Sequence, residues 1–266
     1  MRSAFDLNTL SSLGRVQTVT TRAARRPRDY VRVKGPEAGD FLQRMVSNDV
    51  LAGESCEALL LTPKGRVIAP LVVWRRGADD FLLLTEPGLG ETVRTRLARM
   101  RFAAKCEIER EEHVSTIVFG GEAGIANRDY GAPAVEVLDA DVEPTVDDEE
   151  LERQRIEARS PRWGHEIEDR VLPAEAGLDE RAISFDKGCY PGQEPIARLR
   201  YRGHVNRRLR VLEVDRAEPE AEIVQGEKVV GRVTSAVPGL ALGYVRVDVP
   251  DDAQLAVRGI PAALRP

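Results

Sequence analysis

The residues able to do chemistry crowd into one stretch, Ile183 to Arg198, where Lys187, Cys189, Tyr190, Gln193, Glu194 and Arg198 are interleaved with Gly188, Pro191, Gly192 and Pro195. Glycine permits positive φ or close backbone approach. Proline holds φ at about −65° and pushes the residue before it, here Tyr190 and Glu194, towards extended conformations. The composition predicts a shaped loop, with Cys189 on a stiff turn. Lys187 and Arg198, flanking it in sequence, predict a positive field at the sulfur that favours thiolate, the form that attacks electrophiles and ligates metals. The alternative is a small buried apolar cysteine in a corner shaped by glycine and proline.

Little else in the chain offers a self-sufficient active site. His113, His165 and His204 are far apart and no paired His/Cys spacing is present, which argues against a structural zinc site. No phosphate-cradling glycine motif follows a strand, and no G-x-S-x-G nucleophile turn is present. A Cys–His hydrolase is disfavoured by the scarcity of histidine. Cys56, Cys106 and Cys189 are odd in number and widely separated, as in a reducing compartment without a disulfide framework. Cytosol is the default expectation.

The 266 residues, 42% hydrophobic and 31% charged, suffice for a sizeable core, and the net charge of −5 gives no general attraction for nucleic acid or anionic lipid. Only five of the 39 basic residues are lysine, a compositional bias of the whole chain. No apolar run approaches the roughly 20 residues of a membrane-spanning helix, so no membrane association is expected. Residues 1–28 are rich in Arg, Ser and Thr without an amphipathic period and are expected to form an irregular leading arm. Their faint likeness to a transit peptide leaves an organelle matrix as the alternative location.

The elements that must position the loop follow in order. Tyr30 to Val33 alternates as a strand, and Gly35-Pro36 opens a helix with Phe41, Leu42, Met45 and Val46 on one face. Glu57 to Thr62, Val67 to Trp74 and Phe81 to Thr85 read as an antiparallel meander. Gly88 to Arg101 has helical spacing, and strands follow near Cys106 to Glu109 and Val114 to Phe119. Seven acids between Asp139 and Glu150 predict a solvated linker into a helix capped by Thr145 or Asp147. Six arginines and His204 lie between Arg198 and Arg210, either to dock an anion such as a polyglutamate tail, a phosphate or RNA, or as strand surface paired with the acidic linker. Short alternating runs from Leu209 to the end predict a small barrel or sandwich.

Lys187-Gly-Cys-Tyr-Pro-Gly-Gln-Glu194 resembles the K-G-C-Y-x-G-Q-E signature of the YgfZ family of folate-binding proteins. Weaker resemblances in the same order extend from Tyr30 to the C-terminus: Phe41 to Asp49, Leu61 to Arg66, Arg155-Ile-Glu157 with Pro161 to Gly164, Leu172 to Leu178, Gly231 to Ser235 and Ala241 to Tyr244. The resemblance implies an α+β chain with two mixed, ferredoxin-like subdomains around a central cavity (29–205) and a small C-terminal antiparallel β-barrel (206–266). It also implies tetrahydrofolate or a derivative as cofactor.

By the same resemblance Cys189 is the functional thiol with Lys187 beside it, and Glu157 is the pterin ligand. Asn48, Asp49, Tyr190, Gln193, Glu194 and Arg198 surround the folate, with Gln193 and Glu194 chiefly fixing the loop. The implied role is that of an accessory protein supporting iron–sulfur cluster assembly or repair in client proteins. Two others stay open: a folate-dependent aminomethyl- or methyltransferase, and a tRNA-modification factor touching RNA through Arg198 to Arg210. Against transfer, Arg159 stands where the aminomethyltransferases usually have glycine, and Glu86 to Gly90 lacks their asparagine and aspartate.

Overall fold

The segment Phe81-Leu-Leu-Leu-Thr85 is apolar at successive positions because both faces of its strand are covered, as a buried sheet requires. In the computed structural model, which describes residues 21–265, this strand is β5 (Asp80–Thr85). Phe81 and Leu83 face helices α1 (Ala38–Met45) and α2 (Gly90–Met100), while Leu82 and Leu84 join Tyr30 and Ile125 on the opposite face. The sheet is antiparallel, in the order β3 (Ser55–Leu61), β4 (Val67–Gly77), β5, β2 (Asp29–Lys34), β6 (Glu107–Glu111).

A second antiparallel sheet has the order β1 (Ala23–Arg25), β7 (Ser115–Phe119), β9 (Ala134–Leu138), β8 (Ile125–Asn127). Its core of Ala24, Ile117, Tyr130 and Ala134 is closed by Leu151 of α3 (Asp148–Glu157). As expected, Asp147 caps α3, its Oδ1 accepting from Glu150 N at 2.8 Å. Six strands from β10 (Arg207–Val214) through β11 (Glu222–Gln225), β12 (Lys228–Val237), β13 (Leu240–Arg246), β14 (Leu255–Val257) and β15 (Ile260–Leu264) close the C-terminal barrel. Alternation again divides labour: Leu212, Val214 and Val245 fill the barrel, whereas Leu209, Val211 and Tyr244 pack outward against Leu59 and Leu61 of β3. The barrel is thereby seated on the first sheet through one apolar junction.

Two expectations are corrected. The leading arm was expected to run irregularly through Arg28, yet Ala23, Ala24 and Arg25 pair with Val118, Ile117 and Thr116. Three residues are too few to show a period, and the strand exists because β7 supplies its ladder. The stretch expected to be loop throughout becomes helix α4 (Gln193–Arg202), so Glu194 is helical instead of extended. Pro195 fits there because the first N–H groups of a helix have no intrahelical acceptor to lose.

Candidate functional site

Cys189 is exposed, whereas Tyr190 after it is buried and Lys187 before it is half-buried. Lys187 turns inward: its Nζ donates to the carbonyl oxygens of Val46 at 2.8 Å and Asn48 at 2.7 Å and lies 5.4 Å from the centre of the Tyr190 ring. Burial pulls this amine down to about 8, while Asp49 and Cys56 act in the opposite sense. Tyr190 is buried, and Gly192, at φ 87°, opens α4. A Cβ on Gly192 would lie 2.5 Å from Thr62 O in the β3–β4 turn, so only glycine lets the two backbones meet. The thiol is thus presented on a short span fastened at both ends. The buried-corner alternative does not hold for Cys189, whereas it does for Cys106. Burial also pushes the Cys56 thiol up to about 12.

The positive field expected at the sulfur has other recipients. Lys187 is held by two carbonyls, and Arg198 Nη2 donates to Glu194 Oε1 at 2.9 Å on the exposed side of α4. Asn48 works as a strap, its Nδ2 donating to Glu57 O at 2.7 Å and Arg181 O at 3.2 Å. Asp49 closes a turn, accepting from Gln43 Nε2 and Leu51 N, both at 3.0 Å. Gln193 and Glu194 form the first turn of α4.

A buried charge cluster between the two sheets escaped the sequence reading. Arg28 donates to both Glu136 oxygens at 3.0 Å and lies 3.6 Å from Glu86 and 3.7 Å from Asp129. Arg26 pairs with Glu86, and Arg181 with Asp129, which also accepts from Ser160 Oγ at 2.9 Å. Arg181 Nε approaches Glu57 Oε2 at 2.5 Å without the alignment of a hydrogen bond. Burial would raise Asp129 and Glu136, but the arginines hold both below the usual carboxylate range. For Glu57 burial prevails over Arg181 and its carboxyl is pushed up. These residues are dispersed along the chain, and the available signal was an acid inside an apolar strand, as in Ala134-Val-Glu-Val-Leu138.

The cluster borders a narrow cavity of about 40 Å³. Arg181 and Pro161 line both it and a wider basin of about 500 Å³ formed by the loop after α3, residues 172–185, α4 and the start of β10. Glu157 lies apart from these two. Its carboxylate is 43% exposed and faces Arg265 at 3.5 Å beside the barrel. The arginine run is divided: Arg207 pairs with Glu175 and Arg210 with Asp251 rather than with the acidic linker, and Arg200 stacks on Phe185 at 4.0 Å. Among the described residues no group of three or more His, Cys, Asp or Glu is arranged to hold a metal, and no helix is long and apolar enough to cross a membrane.

The crystal structure of glycine cleavage system aminomethyltransferase T from Bartonella henselae matches the chain with a TM-score of 0.79, covering 93% of this chain and 85% of that one at 19% identity. The fold is that of an aminomethyltransferase. Residues 206–266 match the family described as CAF17, C-terminal beta-barrel domain, which accords with the barrel expected there. An iron–sulfur cluster assembly factor IBA57 homolog, mitochondrial, from Pyricularia oryzae is 25% identical over 292 aligned positions, spanning 90% of this chain and 75% of the relative. An uncharacterized protein of Haemophilus influenzae is 26% identical over 226 positions, spanning 78% of this chain and 81% of its own length.

Proposed function

We propose that the chain is a reduced-folate-binding accessory protein of iron–sulfur cluster assembly or repair, with Cys189 as its working thiol. The observation that carries the proposal is the exposed thiol between two fastened neighbours, Lys187 and Tyr190. A cysteine kept for packing would be inside, and one on a free loop would need no such anchors. The assembly role draws on the similarity to the IBA57 homolog, and the folate on the aminomethyltransferase fold. With one exposed thiol and no metal-binding cluster among the described residues, Cys189 would lend a single ligand to a cluster shared with a client.

A basin of about 500 Å³ suits a folate-sized molecule. Its aminopyrimidine edge would face the Glu57–Arg181–Asp129 corner, where a carboxylate accepts paired hydrogen bonds. Glu57 is favoured over Glu157 as pterin ligand because it lies on the wall of the narrow cavity, next to Arg181, which lines both that cavity and the basin. Titration of a reduced folate, followed by protein fluorescence, tests this. Glu57→Gln is expected to weaken binding strongly and Glu157→Ala to leave it unchanged. The reverse pattern would restore Glu157, and no binding by the wild type would remove the folate.

A further inference from the structure

Three arginines from three separate elements meet at the rim of the basin: Arg159 from the loop after α3, Arg200 from α4 and Arg208 from β10. All three are exposed, and among the described residues none of them is in an ion pair. Arg200 is fixed in place by stacking on Phe185 at 4.0 Å, and His204 lies on the same rim. Acids are present too, but Glu175 is engaged by Arg207 and Arg181 is turned to Glu57 and Asp129, leaving Asp179 and Glu180 opposite three uncommitted guanidinium groups.

Of the five non-glycine residues with positive φ among the described residues, Arg159 is the one that lines the basin. Its φ of 53° is in the left-handed region, which costs an L side chain about 1–2 kcal/mol relative to glycine. The neighbouring turn positions with positive φ, Gly164 and Gly177, are glycines. A strained arginine where glycine would be relaxed suggests that the side chain is kept for what it does. Among the described residues it has no ion-pair partner, so its guanidinium is free to meet an anionic ligand.

Given a folate in the basin, as proposed above, we infer that Arg159, Arg200 and Arg208 bind its oligo-γ-glutamate tail, and that the protein selects polyglutamylated over monoglutamyl folates. Each added γ-linked glutamate brings one carboxylate, and guanidinium groups bind carboxylates through paired donors. Because the rim is wet and exposed, each contact is modest and salt-sensitive, and selectivity accumulates with tail length.

The test titrates full-length protein with the mono- and tri-γ-glutamate forms of one stable reduced folate, 5-formyltetrahydrofolate, at low and high salt. The wild type is expected to bind the triglutamate on the order of tenfold more tightly at low salt, with the difference shrinking as salt rises. Arg159→Gly is expected to reduce this preference, leave monoglutamate affinity within about twofold, and raise the melting temperature by relieving the strain. Arg200→Ala combined with Arg208→Ala is expected to remove most of what remains. Equal affinity for both forms, or a preference that survives all three substitutions, would overturn the inference while leaving the folate site standing. Failure of both forms to bind would remove the folate site, and with it the tail.

Discussion

Lys187 Nζ donates to the carbonyl oxygen of Asn48 at 2.7 Å, and the Asn48 side chain in turn spans Glu57 O and Arg181 O. Through these bonds the cysteine-bearing loop, the turn after α1 and the strand that borders the central cavity are held as one unit. Lys187→Met would leave two carbonyls without their charged donor. A loss of about 2–4 kcal/mol in urea unfolding is expected, together with faster proteolysis near Cys189.

Gly192→Ala is expected to cost about 2 kcal/mol or more, since φ 87° disfavours a side chain and the new methyl would meet Thr62 O. A loop that accepted alanine without loss of stability would show that its contact with the β3–β4 turn is dispensable.

Native thiol labelling should be selective. Cys189 is exposed, whereas Cys106 is buried and burial pushes both Cys56 and Cys106 up, away from the reactive thiolate. Brief alkylation followed by peptide mass spectrometry is expected to find the label on Cys189, with Cys56 and Cys106 modified only after unfolding. Comparable native labelling of Cys56 would contradict the assignment of burial as the governing factor.

How much of this could be read from the sequence depends on range. Asp147 as a cap, the β3–β4–β5 meander and the barrel follow from local pattern, because capping, alternation and tight turns are properties of neighbouring residues. Cys189 was found because its motif is contiguous. Arg28, Glu57, Glu86, Asp129 and Glu136 were missed since each is an ordinary charge until two sheets face each other and remove it from water. Strand β1 was missed for the same reason at smaller scale: Ala-Ala-Arg has no period of its own.

The junction between α3 and the barrel depends on Arg155, which donates to Glu166 Oε2 at 2.9 Å and to Ser235 Oγ at 2.7 Å while almost wholly buried. Removing one member of such a pair leaves the other charged and dry. Arg155→Met should therefore destabilise by about 3–5 kcal/mol, measured by urea unfolding.

His113 sets a pH dependence of known sign. Burial lowers its pKa, but hydrogen bonds to Asp139 at 2.6 Å and Glu111 at 2.9 Å raise it by more, so the folded value lies above the unfolded one of about 6.5. Its contribution is complete below about pH 6.5 and is lost as pH rises through the folded value. Compared with His113→Gln, the wild type is expected to lose stability between mildly acidic and mildly alkaline pH. A constant difference would mean that the imidazole is neutral throughout.

The most direct test of the central claim is the activity of an iron–sulfur-dependent enzyme in cells lacking this protein and supplied with either the wild type or Cys189→Ser. The substitution touches an exposed atom, so the variant should fold and bind reduced folate as the wild type does. Loss of the enzyme's activity with folding and folate affinity intact is the predicted result, and full restoration by Cys189→Ser would contradict it.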